Sequence, residues 1–219
     1  MLVKICCIQS LDEARRALTA GANAIGFVAE MPTSTGTIAD ARIREIVAAL
    51  APEVRSFLLT SRTEPEAIVE HQRATGANTL QLVDRVSAES RAAVRRRLPH
   101  VSLVQVVHVV DRNSVEEARR AEAGADALLL DSGLPDAPNR VLGGTGSTHD
   151  WSLSQEIVGG AGCPVWLAGG LRPDNVAEAI RQVRPSGVDV CSGLRPGRAL
   201  DAGLLAAFVA AVAAEGPSA

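Results

Sequence analysis

No stretch of about 18 apolar residues occurs in the chain, so the sequence predicts no helix that spans a bilayer. The apolar start, from Met1 to Cys7, is short and lacks a charged leader and a small-residue cleavage site, which argues against a secretory signal. No CxxC pair and no histidine-rich spacing is present, so no zinc site of the usual kind, and no metal, is expected. Cysteine is scarce: Cys6, Cys7, Cys163 and Cys191. Two are adjacent and all four sit in apolar runs, a poor disulfide framework, so a reduced, cytoplasmic chain is expected. Net charge is −3 and no long basic stripe is present, which disfavours a nucleic-acid partner. The one dense basic cluster, Arg91 to Arg97, reads as the polar face of a helix.

What is present points one way. The 219 residues are 47% hydrophobic and 21% charged, enough to bury a large core in one α/β domain over residues 1–219. Eight short apolar runs alternate with amphipathic stretches: Leu2–Cys7, Ala24–Val28, Val54–Leu59, Thr79–Leu82, Leu103–Val110, Ala127–Leu130, Pro164–Ala168 and Val188–Cys191. Each is apolar on consecutive positions, as strands buried on both faces should be. Helical patterns fill the intervals, from Leu11–Ala20 to Ala202–Ala214, and Ser10 or Asp12 can cap the first. A repeat, Ala20-Gly21-Ala22-Asn23, returns as Thr75-Gly76-Ala77-Asn78, as Ala123-Gly124-Ala125-Asp126 and loosely as Ser186-Gly187-Val188-Asp189. The glycine suits a left-handed helix C-cap, where a Cβ would clash. The repeat recurs every second unit, and alternate strands of a (β/α)₈ barrel share an interior layer. A single-domain (β/α)₈ TIM barrel is therefore expected, with an open doubly wound sheet as the alternative.

In such a barrel the chemistry sits at the C-terminal ends of the strands. Cys6 ends the first run, and a thiolate there could act as a general base if Lys4, two residues earlier on the same strand face, supplies positive potential. Both cysteines of this pair could equally be small buried hydrophobes. Asp131 ends the sixth run, where an apolar setting would favour its protonated, proton-donating form; it could instead cap a turn. Gly143 to Thr148 is a glycine-rich loop, a weak anion signal, and Asp150 can cap the helix behind it. The strongest signal is doubled: Gly169-Gly170 after run seven and Ser192-Gly193 after run eight, the two loops between which barrels often hold a phosphate. Of the four histidines, His71 and His100 read as surface residues, while His108 and His149 lie near the mouth without an assignable role.

Taken in order, these residues resemble the phosphoribosylanthranilate isomerase family. The resemblance covers most of the chain: Val3-Lys4-Ile5-Cys6, Ala20 to Val28, Gln81-Leu82, Leu129-Leu130-Asp131, Gly143-Gly144-Thr145-Gly146, Asp150-Trp151, Leu167 to Leu171, Pro173-Asp174-Asn175-Val176 and Gly187 to Gly193. It implies an Amadori rearrangement of an N-(5-phosphoribosyl) amine, N-(5-phosphoribosyl)anthranilate of tryptophan biosynthesis above all. It implies Cys6 as general base, Asp131 as general acid, and a phosphate site at Gly169, Gly170, Ser192 and Gly193. Lys4, Gln81, Asp189, Gly144 and Thr145 are the expected substrate contacts. No cofactor is implied, the partner is a small phosphorylated sugar, and monomer and homodimer both stay open.

Three positions depart from the family pattern. The glycine after its Lys-Ile-Cys is Cys7; its Ser-Pro-Arg arginine falls on Gly36; the histidine of its Gln-Leu-His is Val83. The losses cluster on the side that holds the aromatic acid, with Arg62 and Arg85 the nearby cations able to take over. Readings of a relative repurposed for another phosphorylated sugar, as isomerase, lyase or cyclase, and of a non-catalytic phosphate-binding barrel follow from those losses.

Overall fold

The computed structural model describes residues 1–31, 36–134 and 146–216. Eight strands form in order: β1 (Leu2–Ile5), β2 (Ala24–Val28), β3 (Arg55–Thr60), β4 (Thr79–Leu82), β5 (Ser102–His108), β6 (Ala127–Asp131), β7 (Val165–Leu167) and β8 (Gly187–Val190). All pairings are parallel, and β8 closes on β1 to complete a barrel. The helices between them are α1 (Leu11–Thr19), α2 (Asp40–Ala48), α3 (Pro65–Thr75), α4 (Ala88–Arg97), α5 (Asn113–Ala121), α6 (Trp151–Gly160), α7 (Val176–Val183) and α8 (Ala202–Ala214). None of the helices among the described residues is long and apolar enough to cross a membrane.

The strand alternation splits the core in two. Residues such as Ile5, Ile25, Leu58, Leu80, Leu103, Leu128 and Val188 face outward and pack under the helices. Ala24, Val28, Phe57, Leu59, Val104, Val106, Ala127, Leu129 and Trp166 face inward and fill the barrel. By the same two-residue period, Lys4 and Cys6, Gln81, His108, Asp131 and Asp189 face inward. Register places them near one level: Lys4 pairs with Asp189, and His108 pairs with Asp131.

Local chemistry explains most boundaries. Ser10 caps α1 by accepting the Glu13 N–H, and Asp150 caps α6 through the Ser152 N–H. Three glycines of the repeat hold the predicted left-handed backbone: Gly21, Gly76 and Gly124, at φ +108°, +74° and +80°. The fourth does not. Arg184 caps α7 in the left-handed region, and Gly187 opens β8 instead. A Cβ at Gly187 would lie 2.6 Å from the Trp166 ring, so that glycine makes room for the interior aromatic.

The structure corrects four expectations. Cys7 and Cys191 are joined by a disulfide, with Cα atoms 5.9 Å apart across 184 residues of sequence. Apolar runs hid this pair because both cysteines sit just past strand ends that the barrel makes neighbours. Arg91 is not on a solvated face; it is 3% exposed and donates to the carbonyls of Ala123, Val86 and Arg120. His71 is buried, bonded to Thr60 Oγ1 at 2.8 Å and Asp40 Oδ1 at 3.1 Å. Asp131 is half-buried rather than enclosed by apolar side chains.

The disulfide ties β1 to β8 at the point of barrel closure. Closing so long a loop removes much conformational freedom from the unfolded chain. The oxidised protein is expected to exceed the reduced one in unfolding free energy by about 2–4 kcal/mol. Urea unfolding with and without reductant measures this, and coincident curves would refute it.

Candidate functional site

The mouth of the barrel gathers inward-facing polar side chains over an apolar floor. Lys4 is fully buried, and its Nζ lies 2.7 Å from Asp189 Oδ2 and 5.0 Å from the centroid of the Phe57 ring. Burial works against the lysine's charge, but Asp189 and then Cys6 outweigh it, and the Lys4 pKa is raised. Cys6 is a free, buried thiol one turn of the pleat above. Burial pushes its pKa up to about 11, and the positive charge of Lys4 pulls the other way without winning. The resting group is therefore a thiol, where sequence alone suggested a favoured thiolate. The positive charge of Lys4 beside the sulfur favours its ionised form.

Gly26 on β2 is what lets the two groups meet. A Cβ there would stand 2.8 Å from Cys6 Sγ and 3.1 Å from Lys4 Nζ. The Gly26→Ala variant is expected to fold but to lose about 10²-fold in kcat, the scale of a displaced reacting group. Steady-state kinetics checks this; an unchanged kcat would mean that Cys6 and Lys4 do not need their present positions.

Asp131 ends β6 on the same rim, and its Oδ1 accepts the Ser132 N–H at 2.8 Å. Gln81 is 3% exposed on the inner face of β4. Its Oε1, His108 Nδ1 and Asp189 Oδ1 are buried atoms without a hydrogen-bond partner among the described residues. Buried polar atoms are rarely left so, and each of these is a candidate contact for a polar ligand.

The strand-seven and strand-eight loops form the other half of the mouth. Gly169 and Gly170 take φ +81° and +61°, and a Cβ on Gly170 would come 2.5 Å from Ser147 C. Asn175 Nδ2 braces the loop by donating to the Gly170 carbonyl. After β8, Ser192–Leu194 forms a single 3₁₀ turn whose leading N–H groups lack intrahelical partners, a common anion cradle. A Cβ at Gly193 would meet the Leu171 carbonyl oxygen at 2.0 Å, so only glycine lets these two loops pack. Ser192, Gly193, Gly169 and Gly170 are thus brought to one corner, as the sequence predicts. Gly144 and Thr145 lie outside the described residues.

One support was invisible in the sequence. Arg195 Nη2 binds Glu13 Oε2 at 2.9 Å in a buried pair and also donates to the Cys6 carbonyl at 3.4 Å. Burial opposes the Glu13 charge, yet the Arg195 hydrogen bond holds its pKa low. This pair anchors the strand-eight loop to α1 beneath the cysteine, and no spacing rule connects residues so far apart. His149, near the mouth, is fixed by Ser154 Oγ at 2.7 Å and supports the strand-seven loop.

On the far side, Gly36 holds φ +76°, and a Cβ there would sit 3.4 Å from Cys7 Cβ. The larger residue at position 7 and the smaller one at position 36 are thus complementary in space. Arg62 donates to the Ala67 carbonyl, and Arg85 pairs with Glu117 on α5 at 2.8 Å.

Comparison with known proteins agrees with this geometry. The family profile described as N-(5'phosphoribosyl)anthranilate (PRA) isomerase matches residues 3–211. The N-(5'-phosphoribosyl)anthranilate isomerase of Methanocella arvoryzae is 37% identical over 192 residues, covering 88% of each chain. That of Haloferax volcanii is 36% identical over 211 residues, covering 95% of this chain and 91% of its own. Among solved structures, phosphoribosyl anthranilate isomerase from Thermotoga maritima superposes with a TM-score of 0.84 at 30% identity, over 98% of this chain and 100% of that one.

Proposed function

Because the chain belongs to the N-(5'-phosphoribosyl)anthranilate isomerase family, an aldose–ketose isomerase family of tryptophan biosynthesis, we propose that its barrel mouth carries out the Amadori rearrangement with Cys6 as base and Asp131 as acid. The observation that supports this division of labour is placement. Both groups face inward at the rim, on β1 and β6, flanking the β7 and β8 loops where phosphate would be held.

The backbone N–H groups around Gly169, Gly170, Ser192 and Gly193 hold the 5-phosphate. The ribose then lies across the mouth. Asp131 gives its proton to the ring oxygen as the C1–O bond breaks, leaving an open-chain iminium. Cys6, in its unprotonated form, removes the C2 proton, and the resulting enol-amine becomes the 1-amino-1-deoxyketose. Asp189 Oδ1 and Gln81 Oε1 accept hydrogen bonds from the substrate, and Lys4 holds Asp189 and favours the Cys6 thiolate. The site works in the reduced state of Cys6.

The direct test is turnover of N-(5'-phosphoribosyl)anthranilate followed by product analysis. A kcat/KM above about 10⁴ M⁻¹s⁻¹ supports the reading and removes a changed aglycone from consideration. A folded protein that binds phosphate esters without turning this substrate over would overturn it.

A further inference from the structure

If phosphate sits between β7 and β8, the aglycone end of the substrate is directed to the opposite pole of an eight-strand ring, the ends of β3 and β4. That end carries an aromatic carboxylate in the reading above, on which this inference rests. A carboxylate brought into a partly closed site needs a donor, and preferably a cation. Among the described residues, the arginines and lysine considered near that pole already hold partners. Arg62 is held on α3 by the Ala67 carbonyl, and Arg85 by Glu117 on α5. Lys4 is locked to Asp189 and Arg195 to Glu13.

Among the described residues, one inward-facing group able to carry a positive charge remains. His108 closes β5, is 4% exposed, and leans toward β4, with its Nε2 3.0 Å from the Val83 carbonyl oxygen. A carbonyl only accepts, so Nε2 carries a hydrogen. This fixes the tautomer and leaves Nδ1 with a bare lone pair. Nδ1 is buried and has no partner among the described residues. Among the described residues, His108 is the inward-facing side chain at this pole that can carry a positive charge without giving up an existing ion pair. Neighbouring Asp131, its register partner on β6, keeps its Oδ1 on the Ser132 N–H and does not fill the Nδ1 position.

We propose that His108 determines aglycone specificity, its Nδ1 taking a proton and donating it in a charge-assisted hydrogen bond to the substrate's aromatic carboxylate. The Val83 carbonyl holds the ring in place for this and needs no rearrangement, because Nε2 donates in both protonation states.

The test compares two probes by calorimetry: the reduced product, 1-(o-carboxyphenylamino)-1-deoxyribulose 5-phosphate with its ketone reduced, and the same molecule lacking the ring carboxylate. The parent is expected to prefer the carboxylated probe by about 10- to 150-fold, the worth of one hydrogen bond to a charged group. In His108→Phe that preference should collapse to within a few-fold, while the probe without the carboxylate binds as it does to the parent. His108→Gln, which keeps a donor for Val83 but has no charge, should show the same collapse and guards against a folding defect in the phenylalanine variant. A preference retained in the glutamine variant overturns the assignment of His108 and leaves the isomerase reading standing. A parent that binds neither probe overturns the isomerase reading itself.

Discussion

Replacing Cys6 with serine is expected to lower kcat by about 10²–10⁴-fold, the usual contribution of a positioned general base. The substitution is nearly isosteric, so the barrel keeps its packing and the loss is chemical. A serine hydroxyl is a far weaker acid than a thiol, and the same burial that holds the Cys6 pKa at about 11 acts on it too. The parent should show the matching pH dependence. Only unprotonated sulfur reacts with an alkylating reagent, so the alkylation rate of Cys6 should climb with pH, by up to about tenfold per unit while the thiol form dominates. The sign follows from the raised pKa: the active form grows as pH rises toward it. A Cys6→Ser variant of parental kcat, or a Cys6 alkylation rate that is flat from neutral to alkaline pH, would remove Cys6 from the role of base.

Lys4→Met is expected to have the second largest effect, and on two observables. Lys4 and Asp189 form a buried pair 2.7 Å apart, and removing one partner strands the other charge in the barrel interior. Broken buried pairs of this kind cost about 3–5 kcal/mol, a large share of the stability of a domain. The same substitution removes the positive charge that favours the Cys6 thiolate, so the thiol pKa should rise above its present value of about 11 and kcat should fall. Lys4→Met/Asp189→Asn separates the two effects. With both charges gone, stability should largely return, measured by urea unfolding, while slow alkylation of Cys6 persists. If the single variant unfolds at the parental urea concentration and Cys6 reacts at the parental rate, Lys4 serves neither purpose.

The eight strands were legible because each is a short run apolar on consecutive positions, and only strands buried on both faces read that way. Their count and alternation with helices led to the closed barrel. The Gly169-Gly170 and Ser192-Gly193 loops were legible for a local reason, since glycine is placed where backbone must approach backbone; at Gly193 the Leu171 oxygen leaves no room for a Cβ. Cys6 and Asp131 were legible as strand-end residues of the right chemistry. The fourth glycine of the repeat misled, because a glycine in a string does not say whether it turns the chain or clears space for a ring such as Trp166.

The order of residues along the chain by itself determined the architecture and the rim to which the strand ends point, because both depend on local periodicity and residue type; the acid and base proposed on that rim came from resemblance to a family. Only the tertiary structure decided what those residues experience. Closure of β8 on β1 brings Lys4 to Asp189, Cys7 to Cys191, and Arg195 beneath Cys6, pairings across more than 180 residues that no local pattern encodes. The same closure buries the Cys6 thiol deeply enough to outweigh its lysine, and turns His108 toward β4 with one nitrogen bound and the other bare. Desolvation and through-space contact are properties of the packed barrel, and they set the protonation that the sequence could only make possible.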